Sequence, residues 1–516
     1  MTTFRIIFLV GSMLSSMAVA SSAQEPSFLK TKNGVVQGIH EDEVYVYKGI
    51  PFAAPPVGNL RWRPPQPEEP WADVRSALQF GDYCPQNAAS IFPDPPGNMS
   101  EDCLTLNIWT PSANVDARLP VMVWIYGGGY VNGSGSLSIY DGTALAKQDV
   151  VLISINYRLG VLGFFAHPAL SQAQAGEPLG NYGLMDQIAA LEWVKENVAA
   201  FGGDPNNVTI FGESAGAGSV NYLMVATTAK GLFHRAISQS SSAGLQPEPE
   251  MTRPVGRRLA VEEQGEVLAS LLGLDQEPDV IAALREVSVD KFLDVTDRRV
   301  SPRPLIDGLI ITDRMGILFS QGRQHDVPYL AGGNSWEASL GHAVGAGMSP
   351  ALRARSMSPD IAATLYKGLD ESQAIDQWFG DSHTWAPTRY LTSQMSNVTS
   401  PAYIYFMSYL TESRRGIQPG VAHGDEIAYV FQTLDRFYDD VSERDRGISE
   451  MISAYWVHFA KTGNPNGDGR PNWPEYRPDQ QAVLEIGDEI KVVTDFLRAR
   501  LDFHEKRGLE DLLAAE

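Results

Sequence analysis

The chain has 516 residues, and its 62 acidic against 40 basic side chains give a formal charge of −22. Its length guarantees a sizeable core and suggests about three domains, although single α/β domains reach this size. Hydrophobic content of 43% and charged content of 20% exclude general disorder, while the acidic excess argues against nucleic acid partners and against docking on anionic membranes.

The first residues predict a secretory signal peptide over residues 1–23. Arg5 precedes an apolar run, and small residues at 18–23 offer two cleavage sites. The run is too short and too rich in Ser and Gly to predict a membrane span, although an uncleaved anchor is the alternative. We therefore expect a secreted or periplasmic mature chain, 24–516, without a membrane span.

Cysteine usage is consistent with such a compartment. Only Cys84 and Cys103 are present, and an oxidising environment would let them pair. The segment between them is rich in Pro, which predicts a loop. Two free buried thiols remain the alternative, and two cysteines alone cannot form a structural zinc site.

Apolar runs typical of buried strands alternate with helical patterns along most of the chain. Short runs at 34–38 and 44–47 predict antiparallel pairing at a sheet edge. Buried strands are predicted at 119–126, 150–157, 207–212, 235–239, 327–331 and 402–406. Helices are predicted over 186–198 and from about Ala215. This alternation predicts an α/β fold with a large, mostly parallel sheet flanked by helices.

Two long helix-rich stretches, at about 248–324 and 338–400, interrupt the alternation. We expect these insertions to pack over the carboxyl ends of the strands, where α/β sheets bind ligands. The mature chain is thus interpreted as one domain with helical insertions over the active-site end. Candidate pocket residues within the insertions, each with core packing as the alternative, are Met348, Trp378, Phe379 and Trp385.

A nucleophile motif, Gly212-Glu213-Ser214-Ala215-Gly216, lies at the end of the strand predicted at 207–212. It lies between a predicted strand and a predicted helix, where the chain turns sharply and flanking glycines remove clashing Cβ atoms. This predicts Ser214 as a nucleophile, with the Ala215 N–H facing an oxyanion. Further oxyanion donors are expected at Gly128 and Gly129, after an earlier strand, unless that glycine run is only a flexible turn.

A serine nucleophile needs a base and an acid, which follow it in the order acid then histidine in α/β hydrolases. His423 lies in a glycine-flanked loop after the sixth strand and is the preferred base among nine histidines. His383 is the alternative base, or a pocket residue. Glu337 follows the fifth strand and is the predicted acid, whereas Asp307 is interpreted as a turn residue.

The sequence resembles the type B carboxylesterases, a family that also contains the cholinesterases and the neuroligins, over nearly all of the mature chain. The segments that carry this resemblance are 47–53 (YKGIPFA), 100–107 (SEDCLTLN), 156–160 (NYRLG), 201–205 (FGGDP) and 211–216 (FGESAG). The resemblance implies the α/β-hydrolase fold and a serine esterase that needs no metal or cofactor.

The resemblance also implies roles for individual residues. It implies that Ser214, Glu337 and His423 are the nucleophile, the acid and the base. It also implies oxyanion donors at Gly128, Gly129 and Ala215, and supporting residues at Glu213 and Ser240. The structural links that it implies are a Cys84–Cys103 disulfide and the ion pairs Arg61–Glu101 and Arg158–Asp186. Three positions depart from the family pattern. Tyr126 replaces a common histidine, Ala338 replaces a common glycine, and Pro93 stands where cholinesterases carry a tryptophan that binds quaternary ammonium groups.

The expected function is therefore a secreted serine carboxylesterase acting on a small-molecule ester through an acyl-enzyme intermediate. One alternative is an interfacial lipase of the same family. The other is a non-catalytic adhesion module on the same fold, as in neuroligins, which lose the serine nucleophile that this chain retains at Ser214.

Overall fold

The computed structural model describes residues 25–87, 97–295, 299–343 and 349–515. The predicted signal peptide, Pro93 and Met348 lie outside the described residues. Within them, none of the helices combines the length and apolar character required to cross a membrane.

One large sheet organises the described residues. Its thirteen strands are β1 (Glu25–Lys30), β2 (Val35–Glu41), β3 (Val44–Pro51), β4 (Arg75–Ser76), β5 (Thr105–Thr110), β6 (Leu119–Ile125), β7 (Val151–Ile155), β8 (Gly203–Glu213), β9 (Arg235–Gln239), β10 (Tyr329–Asn334), β11 (Ala402–Met407), β12 (Val483–Ile486) and β13 (Ile490–Val493). Their order is β1-β2-β3-β5-β7-β6-β8-β9-β10-β11-β12-β13, and β4 pairs with β2.

The central pairs of the sheet, from β7 through β6, β8, β9, β10 and β11 to β12, are all parallel. The pairs that join β1, β2, β3, β5 and β7, together with the β12–β13 pair, are antiparallel. The predicted parallel sheet with an antiparallel N-terminal edge is therefore confirmed. Parallel strands must be covered on both faces, and every residue of β7 is buried.

Helices connect and cover the strands. They are α1 (Thr143–Ala146), α2 (Gly160–Gly163), α3 (Pro168–Ala173), α4 (Tyr182–Asn197), α5 (Ala215–Val225), α6 (Val261–Leu271), α7 (Val280–Glu286), α8 (Val289–Asp294), α9 (Met315–Ser320), α10 (Ala338–Ala343), α11 (Pro350–Arg353), α12 (Pro359–Leu365), α13 (Glu371–Gly380), α14 (Ala386–Gln394), α15 (Glu426–Val430), α16 (Glu443–Thr462) and α17 (Arg498–Ala514). A π-helical turn, Asp381–Trp385, joins α13 to α14. Both predicted insertions are thus helical.

Strand β5 is not among the strands predicted from the sequence, although all of its residues are buried. Its apolar residues are separated by polar ones, which obscures a buried strand in the sequence. Asn107 explains how this polarity is accommodated, because its side chain accepts a hydrogen bond from the Gly49 amide at 2.9 Å and donates one to Ser154 at 3.1 Å. Buried polar groups are tolerated when they are hydrogen-bonded in this way.

Covalent and ionic links expected from the resemblance are present. Cys84 and Cys103 form a disulfide. Arg61 donates two hydrogen bonds to the carboxylate of Glu101, and the fully buried Arg158–Asp186 pair is also bidentate, with distances of 2.8 and 2.7 Å. Paired charges of this kind avoid the large cost of burying one charge alone.

The aromatic residues considered as pocket candidates are buried. Trp378 packs with Tyr366 in a small hydrophobic cluster within the second insertion. The ring of Trp385 contacts those of Phe406 and Phe496, each at 5.2 Å between centroids. The described contacts of Trp378 and Trp385 are therefore those of packing residues.

Candidate active site

Ser214 lies at the sharp turn between β8 and α5. Its φ of 56° and ψ of −120° place a non-glycine residue in a rarely adopted conformation. A Cβ on Gly216 would lie 1.9 Å from the carbonyl oxygen of Ile125, so this neighbour must be glycine. The Ser214 amide donates to the Gln239 carbonyl at 2.9 Å. Strain and close packing together present a partly exposed serine at the end of the central strand.

The glycine loop after β6 lies directly beside this serine. A Cβ built on Gly127 would come within 3.0 Å of the Ser214 Cβ. Gly128 and Gly129 adopt φ values of 99° and 64°, which favour glycine. The first N–H groups of α5, starting with Ala215, have no partner within their own helix. The predicted oxyanion donors therefore belong to two segments that meet at Ser214.

Glu337 and His423 are brought together by the turns that follow β10 and β11. Oε2 of Glu337 lies 2.6 Å from Nδ1 of His423, and both side chains are buried. The other oxygen, Oε1, accepts from the Ser240 hydroxyl at 2.8 Å and from the Asn334 amide at 2.7 Å. A carboxylate so fixed holds the imidazole in one orientation with the proton on Nδ1.

The loop that carries His423 is held by the segment around Glu337. Besides the Glu337–His423 contact, four hydrogen bonds join residues 334–339 to residues 421–423. They connect Asn334 Nδ2 to the Ala422 carbonyl at 2.8 Å, the Val421 amide to Ser335 Oγ at 2.9 Å, the Trp336 amide to the Val421 carbonyl at 2.9 Å, and the His423 amide to Ser339 Oγ at 2.8 Å. No role was predicted from the sequence for Asn334, Ser335 or Ser339. Their only signal was a cluster of small polar residues beside the predicted acid.

The second ring nitrogen of His423 faces Glu213. Nε2 lies 3.1 Å from Oε1 of Glu213, and it has no hydrogen-bond partner among the described residues. The structure thus pairs His423 with Glu337 and places it against the residue preceding Ser214, without a hydrogen bond between His423 and Ser214. In structures without substrate, the hydrogen bond between a catalytic base and its nucleophile often has a long donor–acceptor distance.

The ionisation of Glu213 and His423 is coupled. Burial raises the pKa of Glu213 to about 8, although the nearby His423 acts to lower it. Burial acts to lower the pKa of His423, but the charges of Glu213 and Glu337 outweigh it and raise this pKa to about 10. When Glu213 is neutral, His423 loses one of the negative charges that raise its pKa.

Glu426 is a further buried carboxyl group that the sequence analysis missed. It accepts hydrogen bonds from the side chains of Asn334 and Gln239. Burial raises the pKa of Glu426 to about 7, and its negative form in turn favours the charged form of His423. Asn334 thus connects the two carboxyl groups, because its side chain donates to Glu426 and its backbone amide donates to Glu337.

Two residues that depart from the family pattern are accommodated by packing. Tyr126 stacks on Tyr157 with 4.5 Å between ring centroids, and each hydroxyl donates to the other residue's carbonyl, at 3.2 and 2.9 Å. This reciprocal pair fixes the end of β6 before the glycine loop. Ala338 is fully buried as the first residue of α10, where a Cβ is compatible with helical backbone.

The other candidates occupy different environments. His383 lies in the π-helical turn, with its ring 4.9 Å from that of Phe379. The carboxylate of Asp307 accepts from three successive amides, 309–311, which confirms its interpretation as a turn residue. Among the described residues, no group of three or more His, Cys, Asp or Glu side chains is arranged to hold a metal ion.

The sequence matches the model of the Carboxylesterase family over residues 25–354 and 364–504. The chain belongs to the carboxylesterase family. This carboxylesterase is 34% identical over 518 residues to the fumonisin B1 esterase of Sphingopyxis macrogoltabida, an alignment that covers 94% of the chain and 90% of that protein. It is 33% identical to carboxylesterase 1C of Mus musculus, with 93% and 92% covered.

Solved structures place the carboxylesterase in the same fold. A PNB esterase structure superposes with a TM-score of 0.79 at 30% identity, covering 92% of this chain and 99% of the other. A thermophilic PNB esterase gives a TM-score of 0.78 at 29% identity with the same coverage. The expected α/β-hydrolase fold is confirmed, and the protein is a carboxylic ester hydrolase of the serine hydrolase type.

Proposed function

We propose that this carboxylesterase is a secreted or periplasmic enzyme that hydrolyses small-molecule esters through an acyl-enzyme intermediate on Ser214. The observation that carries the proposal is the buried 2.6 Å contact between Glu337 and His423, with the imidazole placed against the residue before the nucleophile turn. This arrangement provides a base that is oriented by an acid and lies against the residue before a partly exposed serine.

In the first half of the reaction, His423 accepts the Ser214 proton through Nε2 while Oγ attacks the ester carbonyl. Glu337 holds the ring through Nδ1–H and stabilises the imidazolium that forms. The developing oxyanion is bound by the N–H groups of Gly128, Gly129 and Ala215. Preformed donors of this kind require no reorganisation as charge develops, and losing one costs roughly 10²–10³ in rate.

His423 then returns its proton to the alcohol as the C–O bond of the ester breaks, which leaves the acyl group on Ser214. In the second half, a water molecule attacks the acyl-enzyme while His423 accepts a proton from it. His423 then gives this proton to Ser214 Oγ as the bond to the acyl group breaks and the carboxylic acid leaves. Glu213 and Ser240 serve in supporting positions. Glu213 adjusts the proton affinity of His423, and the Ser240 hydroxyl fixes the Glu337 carboxylate.

The extracytoplasmic location is supported by two observations. The N-terminal residues have the order of basic, apolar and small residues typical of a signal peptide. Cys84 and Cys103 form a disulfide, and disulfides persist mainly in proteins of oxidising compartments. Mass spectrometry of the N-terminus of the exported protein tests this proposal, and recovery of an intact Met1 would contradict it.

Covalent labelling tests the nucleophile. A fluorophosphonate probe should label the wild-type protein and leave Ser214→Ala unlabelled, because an activated serine oxygen attacks its phosphorus and displaces fluoride to form a phosphonate ester. His423→Ala should lower ester turnover by about 10³-fold or more with the fold retained. Equal labelling of wild type and Ser214→Ala would overturn Ser214 as nucleophile. Loss of turnover in His383→Ala, with His423→Ala active, would transfer the base role to His383.

A panel of soluble esters that varies the acyl and alcohol groups measures substrate preference. The panel includes short nitrophenyl esters and an emulsified long-chain triglyceride, which distinguish an esterase from an interfacial lipase. We expect hydrolysis of the soluble esters below their solubility limits. A sharp increase in activity only above the solubility limit would instead support the interfacial lipase.

A further inference from the structure

Tyr130 directly follows the glycines of the proposed oxyanion hole and is itself in an unusual conformation. Its φ is 65°, in the left-handed region that bulky residues rarely adopt. Backbone strain of this kind persists only where surrounding contacts hold it, and it concentrates at functional sites. The contacts of Tyr130 therefore indicate what the strained residue does.

The backbone and ring of Tyr130 are both fixed. Its carbonyl accepts a hydrogen bond from the Gly160 amide at 2.7 Å. Its ring meets that of Phe164 edge-on, with 5.3 Å between centroids and an interplanar angle of 68°. These contacts attach the end of the glycine loop to the segment that follows β7.

The hydroxyl of Tyr130 rests on the first turn of α5. A Cβ built on Gly218 would lie 2.5 Å from this hydroxyl and 3.6 Å from the ring carbon that bears it. The Gly218 amide donates to the Ser214 carbonyl at 2.9 Å, which closes the first turn after the nucleophile. The missing side chain at Gly218 thus makes room for the phenol beside the nucleophile's own helical turn.

Ser219 supplies a polar partner at this contact. Burial raises the pKa of Tyr130, and a hydrogen bond with Ser219 acts in the opposite direction. Ser219 Oγ also accepts from Nε2 of Gln187 at 3.0 Å, and Ser219 and Gln187 are both fully buried. A buried hydrogen bond therefore joins α4 to α5 at the residue next to Gly218, where the Tyr130 hydroxyl lies.

We propose that Tyr130 is a positioning residue whose hydroxyl fixes the oxyanion-hole loop against the nucleophile helix. The proposed donors come from two segments, Gly128 and Gly129 on the loop and Ala215 on α5, and they must converge on one oxygen. Small displacements of such donors weaken transition-state stabilisation. A direct link between loop and helix keeps their spacing fixed. This inference rests on the proposed function.

Tyr130→Phe removes only the hydroxyl and tests the inference. We expect kcat to fall about tenfold, less than the 10²–10³ lost with a whole donor, and KM to change less than twofold. Affinity for a trifluoromethyl ketone, which mimics the tetrahedral intermediate, should fall in parallel with kcat/KM. Tyr390→Phe is the control, because it removes a buried hydroxyl that donates to the Gly316 carbonyl at 3.1 Å and should leave kcat unchanged.

A double-mutant cycle supplies the second readout. Gly218→Ala should lower kcat in the wild-type background, since the new methyl group meets the phenol oxygen. In the Tyr130→Phe background the same change should cost less than twofold, because the remaining ring carbon lies at an ordinary contact distance. Such non-additivity would not arise from two independent losses of stability.

Two results would overturn the inference: an unchanged kcat in Tyr130→Phe, or an equal cost of Gly218→Ala in both backgrounds. Either would leave Ser214-dependent turnover in place, so the proposed function would stand. Turnover that survives Ser214→Ala would instead contradict the proposed function itself. Melting temperatures of all variants are measured in parallel, which separates lost folding from lost catalysis.

Discussion

Nε2 of His423 lies 3.1 Å from a carboxylate oxygen of Glu213, the residue directly before Ser214. The imidazole is thus placed between two buried carboxyl groups, with Glu337 at the opposite nitrogen. Glu337 contacts one ring nitrogen, and Glu213 faces the other, which in the proposed mechanism accepts the proton of Ser214. In that mechanism the charge on Glu213 affects the pH at which His423 can act as a base.

Glu213→Gln should shift the acidic limb of the pH–rate profile to lower pH. The negative charge of Glu213 raises the pKa of His423, and a base with a lower pKa becomes neutral at lower pH. The measurement is kcat/KM for a soluble nitrophenyl ester between pH 4 and 10, where this limb reports the ionisation of the free enzyme.

The control for this shift is Glu196→Gln, which removes one negative charge from an exposed ion pair with Lys32. Because exposed charges are screened by solvent and salt, its profile should match that of the wild type. An acidic limb that stays in place in Glu213→Gln would show that Glu213 does not control the proton affinity of His423.

Ser339 is expected to set the position of the base. Its hydroxyl accepts the backbone N–H of His423 at 2.8 Å, so Ser339→Ala leaves a backbone donor unpaired and lets the loop move. We expect kcat to fall about tenfold, since small displacements of a catalytic group are costly. Ser339→Thr retains the hydroxyl and should restore most of the activity.

The matched control for Ser339 is Ser335→Ala, which removes the acceptor of the Val421 amide at 2.9 Å. This contact lies two residues before His423, and its loss should therefore lower kcat less. Steady-state kinetics and thermal unfolding are compared for all three variants. A larger loss of kcat in Ser335→Ala than in Ser339→Ala would contradict the assignment.

The contrast between β8 and the His423 loop shows what the sequence could predict. Apolar strands and the glycine-flanked Ser214 are local patterns, because period, turn geometry and missing Cβ atoms are encoded within a few residues. The order of acid and base along the chain then favoured Glu337 and His423, with His383 left as the alternative base. These features were predictable without knowing which segments pack together.

Residues that act across distant segments could not be predicted in this way. Asn334 and Glu426 lie far apart in sequence and become partners only because β10 and β11 are adjacent in the sheet. Strand β5 was missed for a related reason, since its polar Asn107 is buried only through hydrogen bonds to neighbouring segments. Polar residues give little local signal of burial, because their partners decide whether burial is tolerated.

Gly216→Ala should destabilise the protein by about 3 kcal/mol or prevent folding, because an added Cβ would lie 1.9 Å from the Ile125 carbonyl oxygen. The control is Gly447→Ala on α16, where a Cβ would contact nothing within 4 Å. This exposed helical position should gain up to about 1 kcal/mol of stability. Urea unfolding measures both changes, and equal stability of the two variants would contradict the close approach at Gly216.

Removing the disulfide should lower stability with little effect on the proposed catalytic machinery. Cys84 and Cys103 are separated by 19 positions, and closing a loop of about that size restricts the unfolded chain by roughly 3 kcal/mol. We expect the Cys84→Ser, Cys103→Ser double variant to unfold at correspondingly lower urea concentration, while its kcat at 25 °C stays within twofold of the wild-type value. A reducing agent should destabilise the wild type and leave the double variant unchanged. A wild type that is insensitive to full reduction would show that the bridge contributes no stability.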